Sequence, residues 1–233
     1  VPGFVIGGAG PKQLLIRAVG PGLAPFGVTD LLPDPQLAII PLGKTTPVAA
    51  NDNWGGTAAL KAAFTAVGAF ALTPDTSRDA ALLFSPTPGS YTAKVTGAPS
   101  AGSGPAGTGV ALVEVYDAGT GNTPRLTNVS ARTQVGTGGD VLIVGFVVSG
   151  NVPKKLLLRG VGGTLIAFGV SGALADPVLE VRPLGSENIV ALNDDWRGTQ
   201  ALKTAFLSVG AFNLSSEFSR DSALAIELPP GAY

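Results

Sequence analysis

The chain has 233 residues, a formal net charge of −1 and no Cys, His or Met. That composition excludes disulfides, zinc sites built on Cys or His, Ser-His-Asp triads and Cys-His dyads within the chain. With 15 basic against 16 acidic residues it carries no basic footprint for nucleic acid.

Gly (33) and Pro (19) are abundant without a collagen period, which points to short strands joined by turns. Residues 14–19 (LLIRAV) are apolar on both faces, as a central strand covered on both sides can be. Thr57 can cap a helix over TAALKAAFTAVG, with Leu60, Phe64 and Val67 on one face and Gly68 as the stop. Residues 91–95 alternate as a half-exposed strand, and residues 108–116 are rich in β-branched side chains. A linker is expected at residues 119–125 (GTGNTPR). Residues 141–148 (VLIVGFVV) read as a second central strand, too short for a transmembrane helix of roughly 18 residues. Leu179 and Val181 should face in, with Glu180 and Arg182 facing out. Thr199, Leu202, Phe206, Val209 and Gly210 then repeat the helix signature. The expected fold is all-β: two tandem antiparallel β-sandwiches, jelly-roll-like, each with one short inserted helix.

The strongest signal is internal. Shifted by 142, the chain aligns to itself without a gap, with 47 of the 91 overlapping positions identical. PKQLLIRAVG returns as PKKLLLRGVG, NDNW as NDDW, and SRDAAL as SRDSAL. Residues 92–142 occur once where two full repeats would need them twice. The expected division is a first repeat over 1–122 that lacks its first strand, and a second over 123–233 that lacks its last strands. A sandwich short of a strand exposes unpaired backbone groups and an apolar groove. Tandem continuation within a longer chain would fill the gap, and so would a donor strand from the next subunit; assembly by strand complementation is the favoured expectation.

One loop per repeat could carry a metal: Asn51, Asp52 and Asn53, with Asn193, Asp194 and Asp195 in the second copy. Consecutive Asn and Asp oxygens suit a hard cation such as calcium, and Asp79 and Asp221, 27 residues further on, could complete each site. The competing reading is that these residues form Asx turns and tie the chain locally. Arg17, Arg159, Arg78 and Arg220 also recur, and read as structural partners of a recurring Asp or of turn carbonyls. Trp54 and Trp196 could stack on a sugar or pack at the base of the helix. Without His or Cys a catalytic pair could come only from carboxylates or Lys, and nothing places two carboxylates in a hydrophobic cleft, so no enzyme is expected; the Gly clusters lack a phosphate-binding context.

The stretch from residue 126 to residue 162, LTNVSARTQVGTGGDVLIVGFVVSGNVPKKLLLRGVG, resembles a repeat domain common in secreted bacterial proteins, as do FGV, LADPVLEV, NDDW, LPPGAY and GTGVALVEVYD. The chain also resembles the tandem β-domain subunits of extracellular protein nanofibres. That resemblance implies an extracellular or cell-surface location, head-to-tail homopolymers joined by strand complementation, and bound calcium, with Asp52, Asp79, Asp194, Asp195 and Asp221 as candidate ligands. The alternative is an accessory module of a larger secreted protein that binds carbohydrate or a cell-surface glycan.

Overall fold

A computed structural model describes residues 2–98, 107–121 and 124–233. The chain is predominantly β and divides into two compact units, Val1–Thr133 and Gln134–Tyr233.

The first unit holds eight strands: β1 (Pro2–Gly7), β2 (Leu14–Val19), β3 (Pro35–Pro41), β4 (Ala49–Asn51), β5 (Ala80–Phe84), β6 (Gly89–Gly97), β7 (Leu112–Asp117) and β8 (Arg125–Ala131). They form a five-stranded sheet in the order β4-β3-β6-β1-β8 and a three-stranded sheet in the order β5-β2-β7, and every strand pair in them is antiparallel. Strand periodicity sorts the side chains of β2. Leu14, Ile16 and Ala18 meet Phe4, Ile6, Leu37 and Ile39 of the larger sheet in one apolar cluster. Leu15 and Val19 point the other way, onto Trp54, Leu60 and Phe64. The unit is therefore layered as sheet, sheet and helix, and the double-sided apolar character of β2 follows from being the shared middle.

The helix is α1 (Ala58–Val67). Thr57 caps it by accepting a hydrogen bond from the Leu60 N–H, and Gly68 ends it in the left-handed conformation at φ 71°. A short 3-10 turn, Pro21–Phe26, follows β2. Gly20 before it is required by proximity: a Cβ there would lie 2.0 Å from the Leu32 carbonyl oxygen.

The second unit holds β9 (Val147–Val148), β10 (Lys154–Gly160), β11 (Leu179–Val181), β12 (Ala191–Asn193), β13 (Ser222–Leu228) and β14 (Gly231–Ala232), with α2 (Gln200–Ser208) capped by Thr199. It repeats the 3-10 turn over Gly163–Phe168. Its strands form three separate pairs, β10-β13, β11-β12 and β14-β9. Its core is small. One cluster gathers Trp196, Leu202, Phe206, Leu214 and Ala223, and another Val148, Val181 and Leu228.

Three differences from the sequence reading have physical causes. The repeat pattern predicts a first unit that lacks a strand, but β8 pairs with β1 along its length, so the chain itself supplies that edge, and the boundary between the units falls after Thr133 instead of residue 122. The expected linker partly overlaps residues 122–123, which lie outside the described residues, and Arg125 already belongs to β8. Residues 141–148 do not form a covered central strand: Val147–Val148 pairs with β14, Phe146 exchanges backbone bonds with Tyr233, and Ile143 is 84% exposed. Apolar composition alone cannot make a central strand without neighbours on both sides. Among the described residues, no helix is long and apolar enough to cross a membrane.

Candidate functional site

Of the eight residues expected to hold calcium, four lie in each unit, where Asn51 and Asn193 and the backbones around them form a hydrogen-bonded turn. Asn51 Oδ1 accepts from the Ala81 N–H at 2.9 Å while its Nδ2 donates to the Asn53 carbonyl at 3.0 Å. Asn193 does the same with the Ala223 N–H and the Asp195 carbonyl, at 2.7 and 2.9 Å. The Trp54 and Trp196 backbone N–H groups donate to the carbonyls of Asp79 and Asp221, at 2.9 and 3.0 Å. These asparagines thus stitch the end of β4 to β5, and of β12 to β13.

Asp79 and Asp221 are 0% and 1% exposed. Asp79 accepts from the N–H groups of Gly20 and Gly22 and from the Ser77 hydroxyl. Asp221 accepts from the Gly162 N–H, from Thr164 through both N–H and hydroxyl, and from the Ser219 hydroxyl. Each carboxylate ties down the 3-10 turn that follows β2 in the first unit and β10 in the second. With both oxygens turned onto protein donors, neither is presented to a cation. Asp52, Asn53 and Asp194 are exposed, and Asp195 is half-buried. No group of three or more His, Cys, Asp or Glu side chains that could hold a metal occurs among the described residues. Of the two readings left open by the sequence, the bonds to Asn51, Asn193, Asp79 and Asp221 have the form of turn chemistry.

Burial by itself would raise the Asp221 carboxyl, but the hydrogen bonds from Thr164, Ser219 and the Gly162 and Thr164 N–H groups outweigh it and hold the carboxyl below its ordinary value. A depressed carboxylate stabilises the fold above its unfolded value of roughly 3.9, and that contribution disappears as pH falls through the folded value. The second unit should therefore lose stability below about pH 4. Asp221→Asn should cost about 3 kcal/mol at neutral pH, by removing charge-assisted bonds from a buried turn. It should also flatten that acid dependence. Urea titrations at stepped pH check this; an unchanged acid limb in the variant would refute the assignment.

The two arginines separate the units more sharply. Arg17 is 0% exposed. Its guanidinium lies 4.8 Å from the Phe64 ring centre and 4.3 Å from that of Phe70, and Nη1 donates to the Phe70 carbonyl at 2.5 Å. Nε and Nη2 both donate to Glu114 Oε2, at 2.7 and 2.5 Å. Tyr116 donates to the other oxygen of Glu114 at 2.5 Å; burial first, and then that carboxylate, push its phenol well above the ordinary tyrosine value. Arg159 reproduces the aromatic half, 5.1 Å from Phe206 and 4.2 Å from Phe212, with Nη1 donating to the Phe212 carbonyl at 2.7 Å. Among the described residues it has no carboxylate bonded to it. Burial lowers its pKa, and the Asp221 charge opposes that shift. The sequence reading misses this difference because Glu114 belongs to the stretch present only once.

The strand edges agree. In the first unit β2 lies between β5 and β7, β1 between β6 and β8, and β3 between β4 and β6. Their counterparts β10, β9 and β11 each have one neighbour among the described residues. The three extra pairings all draw on residues 91–131. β2 is buried throughout, whereas β10 runs from exposed at Lys154 and Lys155 to half-buried from Leu156 to Gly160.

Trp54 and Trp196 are 2% and 4% exposed, each with its ring centre 5.5 Å from a helix phenylalanine, Phe64 or Phe206. They pack at the helix base, and neither ring offers an open face to a sugar. No family model matches this chain, and neither the curated proteins nor the solved structures contain a match.

Proposed function

We propose that this chain is a structural subunit of an extracellular filament or surface assembly, built by β-strand complementation between copies. The observation that carries the reading is an edge closed across the repeats: β8, which the 142-residue offset gives to the second repeat, pairs along β1 of the first unit. A strand edge closed by a segment from the adjoining repeat is strand complementation in its intramolecular form, and the same pairing between copies would build a polymer. The resemblance to tandem β-domain nanofibre subunits supports the same reading and supplies its extracellular setting. Calcium enters as a question of dependence: the turns engage Asp79 and Asp221, which leaves the exposed Asp52 and Asp194 and the half-buried Asp195 as candidate contacts. A structural role also suits a chain free of Cys and Met, the side chains most prone to oxidation.

Sedimentation velocity and negative-stain electron microscopy over a concentration series, with and without a chelator, test the proposal. The expected result is concentration-dependent polymers of uniform width. A monodisperse monomer at high concentration would overturn the proposal. Polymers indifferent to the chelator would remove calcium from it.

A further inference from the structure

Lys12, just ahead of β2 in the first unit, is only 2% exposed. Its Nζ sits 2.7 Å from Oδ1 of Asp117, the last residue of β7. That contact lies outside hydrogen-bond geometry, and the buried Nζ has no hydrogen-bond partner among the described residues. Gly119 closes over the lysine: a Cβ there would lie 3.3 Å from Nζ and 3.5 Å from Cδ and Cε. The Gly119 N–H also donates to Asp117 Oδ1 at 3.1 Å, which fixes the carboxyl beside the amine. The Lys12 N–H donates to the Pro86 carbonyl at 3.0 Å, so the lysine backbone is held as well. Both residues flank one ladder, in which Leu14 lies opposite Asp117.

Two other lysine ion pairs show the contrast. Lys61 with Asp75 and Lys203 with Glu217 lie at the surface, their lysines 48% and 35% exposed, and both pairs are hydrogen-bonded. Lys12 and Asp117 touch without a hydrogen bond, with the amine shut away from water. That is the placement of two groups that can react.

We infer that Lys12 and Asp117 condense to an intramolecular isopeptide bond. The ammonium passes a proton to the carboxylate, giving an amine and a carboxylic acid. The Nζ lone pair attacks Cγ, the Cγ–Oδ2 bond breaks, and one amine proton leaves with the hydroxyl as water. No oxidant, reductant or co-reactant is consumed. The Asp117 side chain is 42% exposed, so the water has a way out. Between free molecules in water this condensation is unfavourable, but well-oriented groups held in contact reach effective concentrations of about 10⁵–10⁸ M. The amide is uncharged, which removes the cost of keeping an ion pair with one member buried. The bond would tie the start of β2 to the end of β7. Like a disulfide that closes a long loop, it would stabilise by restricting the unfolded chain. A chain without Cys has no disulfide to do this. Both residues belong to one unit, so the bond forms whether or not copies polymerise.

Intact-mass spectrometry of the 233-residue chain, folded and then denatured, gives the readout. The mass should fall below the sequence mass by one water. Tryptic digestion should then yield a branched fragment that joins the peptide ending at Arg17 to the peptide ending at Arg125, with Lys12 uncleaved. Lys12→Arg keeps the positive charge but removes the amine, and should show its full sequence mass. So should Asp117→Ala. A wild-type chain at its full sequence mass would overturn the inference. A lost water without the branched fragment would overturn it too, because an aspartate that closes on its own backbone loses the same mass. A lost water that persists in Lys12→Arg would have the same consequence. If a variant fails to fold, the wild-type mass and its branched fragment still decide the question.

Discussion

Replacing Glu114 with alanine should destabilise the first unit by about 3–5 kcal/mol, because it strands a fully buried guanidinium without its counter-charge. The reasoning follows from geometry. Arg17 is 0% exposed, and both its Nε and Nη2 are bonded to one Glu114 oxygen. Water cannot take the place of the lost carboxylate without opening the layer between β2 and α1. Removing both partners together, as Arg17→Met with Glu114→Leu, should recover most of the loss, since an apolar pair of similar volume avoids desolvating two charges. Arg159→Ala in the second unit should cost less, about 1 kcal/mol, because no buried carboxylate is orphaned there. Urea unfolding of the three variants, followed in each unit separately, checks the ordering. A Glu114→Ala loss no larger than that of Arg159→Ala would contradict it.

The second large effect lies in the small core. Phe206 is 0% exposed, stacked at 5.5 Å on Trp196 and lying beneath Arg159. Phe206→Ala should cost about 3–5 kcal/mol, as large-to-small aromatic substitutions in cores do. The buried cluster around Phe206 has five members, and the matching one around Phe64 has nine. The same loss should therefore melt the second unit while Phe64→Ala leaves the first unit folded at 25 °C. Each unit has one tryptophan, so emission from Trp196 in a Trp54→Phe background reports the second unit alone. A single cooperative transition shared by both units would refute the separation of their stabilities.

Much of the fold is legible in the sequence because its signals are local. The threonine caps, the helix faces and the terminal glycines are read within a dozen residues, and α1 and α2 begin as Thr57 and Thr199 dictate. The two-sided apolar pattern of LLIRAV needs only periodicity to mark β2 as a middle strand. The Arg78 pairing is equally readable, because its partner Asp34 recurs as Asp176 beside Arg220. What escapes is long-range. Arg17 and Glu114 are 97 residues apart, and nothing near either announces the other. Alignment assigns the strand β8 to the second repeat, yet it pairs with β1, because an alignment reports ancestry of segments and not which edge a strand closes. The run VLIVGFVV misleads for the same reason: hydrophobicity marks a segment that gains from cover without saying where cover is found. At the acidic loops the residue types suit a cation, and the backbone donors that reach Asp79 and Asp221 come from as far as 59 residues away, which no local pattern announces.

Backbone amide hydrogen exchange along β10 tests the central claim most directly. With β10 bonded on one side among the described residues, its outward-facing amides should exchange in the monomer far faster than their counterparts in β2, and should become protected when the chain polymerises. Amides of β10 that are as protected in the monomer as those of β2, or that stay unprotected in the polymer, would contradict the account.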